Sequence, residues 1–201
     1  MKTRTRALAL AGTAALLAAV ALASPAPAAP VEAKAASVHG GAAIFFPYAP
    51  KDDIRFTVDA EAVPWTKPHP DTPGLEKGLP TDARGRVTIS HHYKETGFTG
   101  TAEAEVDCLV TGGKTATLTA VVKSSNVGWE GKRIGISVQD GERGAPDRVG
   151  FSWAVANVDV KADGSVAEPR VGTCMAPAPF TEVVKGGFKV APAPLSPLPK
   201  P

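Results

Sequence analysis

The chain has 201 residues, 43% of them hydrophobic and 21% charged, enough apolar material for one buried core and too much for a disordered polymer. Its 22 basic residues face 20 acidic ones, a net charge of +2 at pH 7. So even a balance lacks a basic footprint, and no nucleic-acid or anionic-membrane partner follows from it.

Lys2, Arg4 and Arg6 open the chain, an uncharged stretch runs from Ala7 to Ala23, and small residues stand at Ala21-Leu22-Ala23 and Ala26-Pro27-Ala28. A basic start, an apolar middle and an A-x-A-like site predict a secretory signal peptide over residues 1–28, cleaved after Ala23 or Ala28. A transmembrane anchor is the poorer reading, because the Ala-rich stretch is short for a span of about 20 residues and no basic stop-transfer cluster follows it. The leader has no twin arginine and no cysteine for lipidation. The expected product is secreted and extracellular, with no membrane anchor after cleavage. Lys2, Arg4 and Arg6 leave with the leader, so 19 basic residues then face 20 acidic ones, a balance of about −1.

Residues 29–37 are rich in Ala and Pro and are expected to be a disordered spacer before a β domain over 38–190. Ala42 to Phe46 is a short first strand between Gly40-Gly41 and Pro47. Ile54, Phe56, Val58 and Ala60 alternate with Arg55, Thr57, Asp59 and Glu61, the period of a half-buried strand. From Val63 to Asp82 the chain carries Pro64, Pro68, Pro70, Pro73 and Pro80, a density that neither helix nor sheet tolerates. This is a long ordered loop and the first place to look for a binding surface.

Arg86 to Tyr93 is the next strand, with Val87, Ile89 and His91 on one parity. The run from Thr101 to Val110 alternates Ala102, Ala104, Val106, Cys108 and Val110 with Glu103, Glu105 and Asp107, and Gly112-Gly113 turns it back into Ala116, Leu118, Ala120 and Val122. Asn126 to Gly131 links to Ile134, Ile136 and Val138. Asp140 to Asp147 is a turn before Val149, Phe151, Trp153 and Val155. Asp159 to Ser165 reads as a further hairpin and Phe180 to Val190 as the last strand. The Pro-rich tail, 191–201, reads as extended and mobile.

No helical stripe appears outside the leader. The chain is therefore all-β, a single antiparallel meander of about eight strands. Closure removes the edges of a meander, so a closed barrel of the lipocalin or avidin kind is favoured, with a β-sandwich as the alternative. Small residues at 102, 104, 116 and 120 leave room inside, and the simpler expectation is that they fit the taper of a filled barrel.

Two cysteines, Cys108 and Cys174, in an exported chain predict one disulfide. The parity of Cys108 with Val106 and Val110 puts its sulfur on the inward face. Candidate ligand-binding residues are Trp65 and His69 in the Pro-rich loop, Trp129 in the 126–131 link, and His91 as a rim histidine; Trp65 and Trp129 together would make an exposed stacking platform, while Trp153 has inward parity and belongs to the core. His91 and His92 are adjacent on a strand, face opposite ways and cannot chelate one metal, so no metal site is expected. A calcium site on Asp140, Glu142 and Asp147 is the alternative use of that turn, against the simpler reading of a salt-bridged turn with Arg143 and Arg148. Glu103, Glu105 and Asp107 form an acidic row on the wet face, better suited to solubility than to glycosidase chemistry. No phosphate loop, G-x-S-x-G, H-E-x-x-H or dinucleotide fingerprint is present, so no catalytic residue and no cofactor is assigned.

Val106 to Gly113, the Thr115 to Ala120 strand, and Val138 to Glu142 ahead of Asp147 and Phe151-Ser152-Trp153 resemble small exported actinobacterial proteins labelled repetin-like, over roughly residues 84–156. The EF-hands of animal repetin are not matched here. The resemblance implies a secreted β fold and no known activity. The expected function is thus a secreted, non-catalytic β domain that binds a protein or a small ligand. An envelope or matrix structural protein, or a hydrolase using His91 or His92 with a carboxylate, are the alternatives.

Overall fold

In the computed structural model, which describes residues 34–154 and 157–199, the alternating runs become β1 (Ser37–Phe45), β2 (Asp53–Ala62), β3 (Ala83–His92), β4 (Thr99–Gly112), β5 (Thr115–Ser125), β6 (Arg133–Gln139), β7 (Arg148–Phe151), the short pair β8 (Asp159–Val160) and β9 (Val166–Ala167), and β10 (Thr181–Ala191). The expected leader, the first part of the spacer and Val155 lie outside the described residues. The spacer reading is corrected at its end: Ala36 is buried, its carbonyl accepts the Ala62 amide at 2.8 Å, and Ser37 already belongs to β1.

The eight long strands form a closed antiparallel barrel in the order β1-β10-β7-β6-β5-β4-β3-β2, with β8 and β9 paired as a hairpin outside it. This is the favoured meander, with every consecutive pair adjacent and the ends meeting through β1 and β10. Alternation delivers Val58, Val87, Leu118, Ile136 and Val138 to the interior, each fully buried. No α-helix occurs among the described residues.

Register shifts break the alternation between Ala43 and Ile44, between Glu103 and Ala104 and, with most effect on the core, in β4 between Val106 and Cys108. A bulge between Val106 and Cys108 adds a residue, so Leu109 opposes Leu118 in the core and Cys108 opposes Thr119. Directly opposed residues share a face, and Cys108 therefore points out of the barrel, not inward as parity predicts. It is still fully buried, because the segment before β10 lies across the outer wall and joins it through the Cys108–Cys174 disulfide. Lys67 donates from Nζ to the carbonyls of Val106 and Asp107 at 3.2 and 3.3 Å, satisfying acceptors that the bulge takes out of the ladder.

That outer segment, residues 168–180, is a strap. Added β-carbons on Gly135 and Gly150 would sit 2.0 Å from the Met175 carbonyl oxygen and 2.3 Å from that of Ala178. Only glycine lets the strap lie this close to β6 and β7. Ser137 Oγ donates to the Pro177 carbonyl, and Arg148 donates to those of Pro179 and Phe180.

At the other side of β7 the wall is thin. β7 and β10 share only two residue pairs, Thr181 with Val149 and Glu182 with Arg148. Beyond them, carboxylates stand in for a strand: Asp147 Oδ2 accepts the Phe188 amide at 2.6 Å, and Asp140 Oδ2 accepts that of Val190 at 3.3 Å.

Candidate functional site

An up-and-down barrel sorts its loops between two ends. One end carries the 63–82 loop, the Gly113 turn, the 140–147 turn and both chain termini of the domain. The other carries the 46–52, 93–98 and 126–132 loops and the 152–180 excursion. The candidate residues divide accordingly.

Trp65 and His69 belong to the first end, and it is closed. Asp82, 2% exposed, gathers the Pro-rich loop on one oxygen, accepting the amides of Thr66, Lys67 and Leu79 at 2.8–3.0 Å. Trp65 Nε1 donates to Ser196 Oγ and the Pro197 carbonyl, and Thr111 exchanges hydrogen bonds with Ala193. These hydrogen bonds lay the tail over this end across residues 193–197. His69 is exposed on the loop. Trp65 and Trp129 lie at opposite ends and form no common platform.

The second end is open. A cavity of about 420 Å³ enters the barrel there, walled by Phe46, Ile54, Phe56, Ile89, Ala102, Phe151, Trp129 and Trp153, with His91, Tyr93, Thr101, Val127 and Glu168 around it. The four small residues expected to fit a filled interior, Ala102, Ala104, Ala116 and Ala120, all pack in the core, and Ala102 also lines the cavity. Phe151 is the hub of the floor, with ring centroids 5.3 Å from Phe46, 5.8 Å from Phe56 and 4.9 Å from Trp153. Trp153, expected in the core, is a half-buried wall residue that meets Trp129 edge-on at 5.5 Å.

His91 sits at the mouth end of β3. Its Nε2 is 2.7 Å from Asp52 Oδ2, and its ring stacks on Tyr93 with centroids 3.8 Å apart. The Lys94 amide, which donates to Asp52 Oδ1 at 3.0 Å, and then the His91 ring hold the Asp52 carboxyl below the usual carboxylate value. His92 faces the other way and meets Thr99 Oγ1 at 2.9 Å. His39 pairs with Asp59 outside the barrel. On the far lip, Lys132 pairs with Glu168 and places its Nζ 4.3 Å from the centre of the Trp129 ring.

The acidic residues of the 140–147 turn and of β4 do not line the cavity. Among the described residues no group of three His, Cys, Asp or Glu side chains could hold a metal ion. The calcium alternative does not assemble: Asp140 and Asp147 bind β10 and Glu142 is exposed. The row on β4 is neutralised across the sheet, Glu103 by Arg86 at 3.3 Å, Glu105 by Lys123 at 3.0 Å and Asp107 by Arg133 at 2.8 Å.

The chain matches no family model, no curated protein and no solved structure. The site therefore rests on its own geometry. It keeps His91 and Trp129 from the sequence reading and adds Asp52, Tyr93, Phe46, Phe151 and Glu168. None of these five carries a local motif; only closure of the barrel brings loops 46–52, 93–98 and 152–180 to one rim.

Proposed function

We propose that this barrel is a binding protein for a small apolar ligand, taken up through its open end without chemical change. The observation that carries the reading is the cavity: about 420 Å³, aromatic on its floor and walls, with few polar groups at its mouth. That size and lining are those of ligand sites in general, and an eight-stranded barrel is just wide enough to hold one small molecule. Burying a flat body against Phe56, Phe151 and Trp153 would return about 25 cal/mol per Å² of apolar surface covered. An extracellular setting goes with this reading, supported by the Cys108–Cys174 disulfide. The secreted repetin-like proteins that the sequence resembles fit the same setting.

The test is binding of a neutral fluorescent probe such as N-phenylnaphthylamine. Its emission should rise on addition of the chain and fall with Ala102→Phe, which fills the cavity. An equal rise with Ala102→Phe, whose fold is checked by its thermal transition, would rule the cavity out as the binding site.

A second reading, hydrolysis, draws on the 2.7 Å contact between His91 and Asp52, which has the geometry of a general base and its orienting carboxylate. Thr101 and Tyr93 supply the only hydroxyls lining the cavity, and there is no serine or cysteine there among the described residues. Loss of a measured ester hydrolysis in His91→Ala would favour this reading over simple binding.

A further inference from the structure

Among the described lining residues, Glu168 is the only one with a fixed charge, and no lysine or arginine faces the cavity. Asp52, 13% exposed, adds a second carboxylate just behind His91. Trp129 turns a π-face, whose quadrupole is negative, toward a positive charge, and Trp153 and Tyr93 also line the cavity.

Lys132 shows what this arrangement accepts. Its ammonium lies over the Trp129 ring at 4.3 Å and is paired with Glu168, so an aromatic face and a carboxylate already converge on one positive charge. The lysine reaches this place from outside the cavity, with its side chain 22% exposed. A free ammonium is strongly hydrated and its stem is flexible, so it can swing back to water. An alkylated ammonium is less hydrated and gains more from the ring face. A carboxylate ligand would meet the reverse: the Glu168 carboxylate and the negative face of Trp129, with Lys132 and the His91 ring in its favour.

We infer that the ligand is an organic cation, a short or flat apolar body carrying an amine or quaternary ammonium head. The body lies against Phe56 and Phe151, and the head replaces Lys132 between Trp129 and Glu168. This rests on the reading of the cavity as a ligand site, and deepens it by naming the class.

Three probes with one body separate the two claims by calorimetric titration of the purified chain: phenylpropyl trimethylammonium, the same body with a tert-butyl head, and phenylbutyrate. The cation should bind about tenfold tighter than the neutral probe, with the anion weakest. Glu168→Gln should bring the affinities of the cationic and neutral probes together, whereas Lys132→Ala should tighten the cation by clearing its place. Glu168 is exposed and Lys132 half-buried, and unchanged unfolding curves establish that the fold is intact. Neutral and cationic probes binding equally, tighter binding of the anion, or indifference to Glu168→Gln would each overturn the inference while sparing the cavity. No binding of any probe would overturn both.

Discussion

Asp140 and Lys189 form an ion pair across the thin β7–β10 seam whose two ends see opposite surroundings: Oδ1 and Nζ are 3.0 Å apart, the aspartate side chain is 3% exposed and the lysine side chain 85%. Burial alone pushes the Asp140 carboxyl up, but Lys189, the Val190 amide and Lys114 outweigh it and hold the group below its ordinary value. A folded value below the unfolded one means stability that is complete above the unfolded pKa of about 3.9 and is lost as pH falls through the folded value. Asp140→Asn should therefore cost about 1–3 kcal/mol near neutral pH, and the gap to the natural chain should close below about pH 4. Guanidinium unfolding at a series of pH values reads this directly. A gap that persists unchanged into acid would assign the loss to packing, not to charge.

At the mouth, the same reasoning applies to Asp52 with different partners. The Lys94 amide contributes most to lowering its carboxyl and the His91 ring next. In His91→Ala, Asp52 should titrate higher than in the natural chain yet stay below the ordinary carboxylate value, because the amide remains. Carboxyl carbon chemical shifts followed against pH give the answer. No change on removing the imidazole would show that His91 and Asp52 are not joined in solution.

The strap is held by backbone proximity, which a single methyl group can test. In Gly135→Ala the new carbon would lie 2.0 Å from the Met175 carbonyl oxygen, so the strap must move off β6. Overpacking of this kind costs about 1–3 kcal/mol. Limited proteolysis should cut within 168–180 faster in Gly135→Ala. Gly112→Ala, where nothing lies within 4 Å, should leave both stability and cleavage near their original values.

Strands were legible wherever one face was dry and the other wet, as in Ile54 to Ala60, which falls inside β2 with every apolar member buried. Legibility ended where the pattern carries no sign of the event. Val106, Cys108, Leu109 and Val110 are almost all apolar, so nothing local marks the bulge that turns Cys108 outward and Leu109 inward. Gly40-Gly41 reads as a boundary, yet both glycines lie inside β1; a β-carbon on Gly40 would sit 2.2 Å from the Gly187 carbonyl oxygen, and the wall closes there by backbone contact. The cavity escaped for a different reason. His91 and Asp52 are 39 residues apart and Glu168 comes from the strap, so their meeting is a property of closure and not of spacing.

The disulfide separates what the barrel needs from what the strap needs. Cys108 and Cys174 are 66 residues apart, and closing a loop of that length stabilises by about 4 kcal/mol through the unfolded chain. Yet the barrel is closed by backbone hydrogen bonds between neighbouring strands, supplemented at the β7–β10 seam by the Asp147 and Asp140 carboxylates, and the sulfur atoms lie outside it. Replacing both cysteines by alanine should lower the guanidinium midpoint while leaving the far-ultraviolet strand spectrum in place. Proteolysis should again concentrate in 168–180, because the strap loses its one covalent hold and keeps non-covalent contacts such as those of Ser137 and Arg148 with the carbonyls of Pro177, Pro179 and Phe180. Thiol titration of the natural chain should find no free sulfhydryl until it is unfolded with reductant, and then two. A double variant that loses its strand spectrum would show instead that the crosslink, and not the ladder, holds the barrel shut.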